Sequence, residues 1–271
     1  MKHNKYKILV LCDLKSTTNT ILKSAVSLAK MINGDIEMLY VKNATEIVKK
    51  DNQLSAIRTI NGTYITIDKE IQNLVKSFTA NYNVNINYTF KFGNVKNEIG
   101  KYIKEKQPHI VVLGKRKSMP INFIGDNITE YVLKNHNNEV MIAAEENTLE
   151  PNKEISLGVL NNLDSKLNIT FAKDLLECTQ EPLRSFKTLN KFDALNRSNT
   201  STDMKTVEYV FEKSDSTIKT LSKYLSKGNV NLLCVDRGEE HSQKAMTKDI
   251  KEVINKLNVS LLLTGRQRQI S

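Results

Sequence analysis

A chain of 271 residues and 30.8 kDa, 39% hydrophobic and 26% charged, has room for one large domain or two ordinary ones, and its composition excludes a disordered or collagen-like polymer. Forty Lys and Arg against thirty Asp and Glu give a formal charge of +10, but lysine is spread along the whole chain. Only Lys115-Arg116-Lys117 is a compact basic cluster, and no aromatic residues alternate with it to stack on bases, so nucleic acid is not the expected partner.

Tyr6 to Cys12 is an apolar run ended by Asp13, the pattern of a strand buried on both faces of a parallel sheet. After the turn residues Ser16 to Asn19, apolar positions Ile21, Leu22, Ala25, Leu28, Ala29 and Ile32 recur at three and four, and Asn33-Gly34 supplies a left-handed stop. Ile36 to Val41 reads as the second strand. Lys42 to Tyr64 has weak periodicity and contains Gly62, so it reads as a long connection. Asp68 to Asn81 places Ile71, Leu74, Val75 and Phe78 on one helical face, and Val84 to Phe90 alternates as an edge-type strand.

Phe92-Gly93-Asn94 turns the chain into a helix with Val95, Ile99, Tyr102 and Ile103 inward, and Pro108 stops it before the buried strand Ile110 to Leu113. A polar loop, a helix from about Asp126 and the strand Val140 to Ala143 complete the first half. This β-α alternation argues for an open, mostly parallel sheet with helices on both faces.

Glu145 to Glu154, acidic and containing Pro151, reads as a linker, after which Ile155 to Leu160 resembles the first strand again. A helix through Leu167, Phe171, Leu175 and Leu176, strands at Phe186 to Leu189 and Val207 to Phe211, a helix over Ile218 to Leu225, the run Asn231 to Val235, a helix over Ile250 to Leu257 and the strand Val259 to Leu263 follow. Ile155 lies 148 residues after Lys7, but Cys234 only 121 after Leu113, so some 27 residues are missing between. The lost part corresponds to the long connection and second helix, with the polar segment Asp193 to Met204 in its place as a mobile loop. One helix-sized area of the second sheet then needs another cover, for which the first half is a candidate.

Ligands of open parallel sheets bind outside the carboxyl ends of the strands, where the winding reverses. In the first half that crevice is expected among Cys12-Asp13-Leu14, Val41 and Leu113-Gly114. The strand ending in Asp13, the helix of form Leu-x-x-Ala-x-x-Leu-Ala over Leu22 to Ala29, the strand ending at Tyr40-Val41, Ile110 to Gly114, and Asn127 to Val132 followed by Val140-Met141 resemble the universal stress protein family. The second half shares with that family only the order of elements and scattered apolar positions.

The resemblance implies two tandem flavodoxin-like domains of the adenine nucleotide alpha hydrolase type, with open parallel five-stranded sheets. Residues 1–146 form the first, and 153–271 a shortened, divergent second. It also implies pairing of Val140 to Ala143 with Val259 to Leu263 as an intramolecular pseudo-dimer, with further homodimerisation open.

ATP-binding members of the family place glycines after the fourth strand and a Gly-Ser or Gly-Thr pair at the start of the last helix, because a phosphate needs bare backbone N–H groups and favours a helix N-terminus. Here Gly114 is kept, Lys117 replaces the second glycine, Gly125 falls early, and Asp126 follows it. Asp126 would cap a helix while repelling a triphosphate.

If nucleotide is bound, the implied site is Asp13, Val41, Gly114, Lys115, Lys117 and Gly125. The broken cradle instead favours a stress-response or regulatory protein without cofactor, acting non-catalytically by binding an unidentified protein or small molecule. An ATP-binding switch with slow ATPase activity is the alternative.

Other chemistry has little support. Asp236, Glu239, Glu240 and His241 form a polar loop read as solvated rather than metal-binding. His3, His109, His136 and His241 are scattered, and no nucleophile elbow occurs, so no catalytic residue is assigned. Cys12, Cys178 and Cys234 lack CxxC spacing, so neither disulfide nor zinc is expected. No apolar run approaches the roughly 18 residues of a membrane helix, and Ile8 to Cys12 is too short for a signal-peptide core, so a soluble, cytosolic protein is expected.

Overall fold

Ile8 to Leu11 are buried on both faces of the sheet, as their unbroken apolar character requires, and lie within β1 (Tyr6–Cys12). A computed structural model of the chain describes residues 5–43, 53–115, 128–161, 169–189, 205–214, 216–237 and 248–265. After β1 come α1 (Thr18–Ile32), β2 (Gly34–Lys42), α2 (Gln53–Tyr82), β3 (Ile86–Phe92), α3 (Val95–Lys106), β4 (Ile110–Gly114), α4 (Ile128–Asn135) and β5 (Glu139–Ala143). The second half contributes β6 (Leu157–Leu160), α5 (Ala172–Glu177), β7 (Leu183–Leu189), β8 (Thr206–Glu212), α6 (Thr217–Lys227), β9 (Leu232–Val235), α7 (Lys248–Lys256) and β10 (Ser260–Leu263).

The strands form a ten-stranded sheet in the order β3-β2-β1-β4-β5-β10-β9-β6-β7-β8. Every neighbouring pair is parallel except β5 and β10, which run antiparallel with Met141 opposite Leu262. The protein is thus two tandem flavodoxin-like α/β units with five parallel strands each, the second shortened. The order 3-2-1-4-5 occurs in the first unit and in mirror sequence in the second. Helices α1, α2 and α5 cover one face and α3, α4, α6 and α7 the other, and each apolar cluster contains residues of both halves.

Local chemistry explains the element ends. Asn33 alone takes the left-handed conformation after α1, at φ 55°, with its N–H bonded to Ala29 O. Gly34 already belongs to β2, where an added Cβ would stand 2.7 Å from Ile8 Cδ1. Asn94 caps α3 by accepting from Asn97 N at 3.1 Å, and Gln107 closes it at φ 48° before Pro108.

Three expectations change. The connection expected over Lys42 to Tyr64 is helical from Gln53, so α2 has 30 residues rather than the span Asp68 to Asn81. Thirty residues rise roughly 45 Å, whereas the seven residues of β3 cover roughly 23 Å, so the N-terminal part of α2 overhangs the sheet. Ile57 and Ile65, at 51% and 67% exposure, pack on little, which erased the amphipathic signal.

In the second half the helix expected from Leu167 is described only as the six residues Ala172–Glu177; 162–168 lie outside the described residues, as does Asp193 to Met204. Finally, the outer sheet face does not need an apolar cover along β7 and β8. Ser185, Lys187, Glu208 and Val210 share that face by register, and Lys187 Nζ pairs with Glu208 at 2.9 Å. Polar side chains on that face lower its need for an apolar cover, while Val210 stays 54% exposed on it.

Candidate functional site

The carboxyl ends of β1, β2 and β4 meet where the strand order reverses, and the crevice expected there gathers Asp13, Val41, Gly114 and Lys115. Cys12 pairs with Tyr40, so Asp13 and Val41 stand side by side just beyond. Continuing the β1–β4 register from Val10 and Val112 brings Cys12 level with Gly114.

Asp13 Oδ1 accepts from Lys15 N at 3.2 Å, closing a turn in which Leu14 adopts φ 54°, an uncommon conformation for a side chain of that bulk. Lost hydration, and after it the Asp13 carboxylate, push the Cys12 thiol well above its ordinary range, so this cysteine stays protonated.

Gly114 ends β4 under the first turn of α1. A Cβ at this position would stand 2.4 Å from Ile21 Cδ1 and 2.8 Å from its Cγ1. Ile21 is itself buried at 4% exposure, so the bare backbone accommodates a core side chain. Lys115 donates its backbone N–H to Ala143 O at 3.0 Å and its Nζ to Leu257 O, just beyond α7 in the second half. Lys117 and Gly125, with Arg116 and Asp126, lie outside the described residues.

A reciprocal contact comes from the other half and was not foreseen. Arg237, two residues beyond β9, donates NH2 to Leu133 O and His136 O at 2.9 Å each and NH1 to Asn138 O at 3.0 Å. Cations favour a helix C-terminus, and here the strand-end cation of each half caps the last helix of the other. The signal was present in the internal repeat, since Lys115 follows β4 much as Arg237 follows β9. Asp236 Oδ1 accepts from Thr264 Oγ1 at 3.0 Å, while Glu239, Glu240 and His241 lie outside the described residues.

Other singled-out residues are structural in their surroundings. His109 Nδ1 accepts from Lys7 N at 3.0 Å and its ring meets Tyr6 edge-on at 5.7 Å. The Glu145 to Glu154 segment docks on α1, with Leu149 fully buried, its N–H donated to Ser24 Oγ, and Glu150 O accepting from Ser27 Oγ. A polar cavity of about 290 Å³ lies along this segment, lined by Asn147, Glu150, Lys153, Glu154 and Asn231 among others, and not at the strand-end crevice. Among the described residues no helix is long and apolar enough to cross a membrane.

The fold is similar along its whole length to solved structures. A universal stress protein from Archaeoglobus fulgidus matches with TM-score 0.70 and 14% identity over 96% of each chain. A putative universal stress protein from Pseudomonas aeruginosa matches with TM-score 0.60 and 11% identity over 96% of this chain and 92% of that one. No curated protein matches the chain in sequence. The family model for the universal stress protein family matches residues 6–144, the stretch that carries β1 to β5 and the crevice between them, and by this match the chain belongs to that family.

Proposed function

We propose that the protein is a non-catalytic, cytosolic regulatory member of its family that acts by binding a protein or a small molecule other than ATP, through domains at residues 1–146 and 153–271. The observation that supports this is the employment of Lys115: the first cation of the basic cluster caps α7 through Leu257 O instead of standing free for phosphate. Gly114 lends a phosphate cradle no support of its own, because the packing of Ile21 against it is reason enough for a glycine. These two residues favour a ligand other than a triphosphate.

The second reading, a nucleotide switch with slow ATPase activity in the first half, is favoured by Asp13 and Val41 standing together at the crevice. Thermal unfolding with and without Mg-ATP separates the two. A ligand at 100 times its dissociation constant stabilises a folded protein by about 2.7 kcal/mol. The expected result is no shift at millimolar Mg-ATP. A stabilisation of that size, abolished by Asp13→Ala, replaces the first reading with the second.

A further inference from the structure

The sheet ends in two edge strands of different character. β3 lies between α2 and α3, and Tyr88 to Phe92 are half-buried. β8 exposes Val207 at 40% and Val210 at 54%. Its hydrogen bonding has a fixed parity. Leu183, paired with Thr206, donates its N–H to Lys205 O at 2.9 Å. A parallel ladder alternates its bonds residue by residue, so Val207 and Tyr209 bond towards β7 while Glu208 and Val210 turn their N–H and C=O to the outer edge.

We propose that this edge is a self-association surface, in which β8 of a second copy of the chain adds antiparallel to β8 about a two-fold axis through Tyr209. Such an axis preserves the faces of the sheet and makes the contact self-complementary. It puts Tyr209 opposite its own equivalent and Val207 opposite Phe211, so the row Val207, Tyr209, Phe211 continues into the second copy. That row already makes ring contacts within one chain, Phe186 stacking on Tyr209 at 5.2 Å and Phe211 meeting Tyr224 edge-on at 5.4 Å between ring centroids. On the opposite face Thr206 meets Glu212 and Glu208 meets Val210, covering the more exposed valine.

Charge permits this pairing where most of the surface opposes it. The chain carries +10, and two copies repel, but Lys205 to Lys213 contains two lysines and two glutamates and is neutral. Lys187 holds the Glu208 carboxylate, at 2.9 Å. The like charges that do meet, Lys205 and Lys213, fall at the solvated ends, where screening is strongest. A seven-residue strand pair is small beside the roughly 1,200–2,000 Å² of a standard interface, so the dimer is reversible and grows with concentration.

Sedimentation velocity of the full chain over micromolar to millimolar concentration tests the proposal. The wild type is expected to shift reversibly from monomer to dimer. Val210→Pro removes only an outward N–H and is expected to weaken association by about tenfold or more, with the unfolding temperature unchanged. Val210→Glu, which sets a like charge opposite the second copy's Glu208, makes the same test without touching the backbone. A wild type that stays monomeric throughout overturns the proposal, as does dimerisation that both folded variants retain at wild-type strength.

Discussion

Ile21 fills the space beside the α-carbon of Gly114, with Cδ1 2.4 Å from where a Cβ would stand. The glycine that matches the family's phosphate pattern therefore has a packing reason of its own. Gly114→Ala is expected to cost about 1–3 kcal/mol in urea unfolding, the usual effect of overfilling a core. Ile21→Val in the same molecule removes the colliding methyl group and is expected to recover part of that loss. Equal loss in the single and double variants would refute the packing role.

Acid should loosen the joint between the halves. Burial first, and the Arg237 charge second, push His136 down to about 4 from its ordinary 6.5, against an opposing hydrogen bond to the Glu139 backbone. The unfolded chain takes this proton near pH 6.5 while the folded chain refuses it until about pH 4. Stability from this group is therefore complete above the unfolded value and is lost as pH falls through that window, by about 2 kcal/mol at about pH 5. The difference in urea midpoint between pH 7 and pH 5 is expected to shrink in His136→Asn, and an unchanged difference would assign the acid sensitivity to other groups.

The overhang of α2 predicts a gain rather than a loss. Gly62 is exposed in mid-helix with nothing within 4 Å of an added Cβ, so Gly62→Ala is expected to stabilise by roughly 0.5–1 kcal/mol through backbone entropy alone. Were Lys42 to Tyr64 a connection, as its weak periodicity suggests, the substitution would leave the melting temperature and the helical circular dichroism unchanged.

Apolar patterning by itself determined the β-α alternation, the strands Tyr6 to Cys12 and Ile110 to Leu113, the repeat beginning near Ile155 and the place of the crevice, because burial on two faces or on one helical stripe is written in which positions are apolar. It missed the first half of α2, since an overhanging helix has no buried stripe to announce it. Tertiary structure alone decided the employment of Lys115 and Arg237. A cation in a loop reads the same whether it awaits a phosphate or caps a helix more than a hundred residues away, and only the antiparallel joining of β5 to β10 brings the carbonyls of Leu257 and Leu133 within its reach.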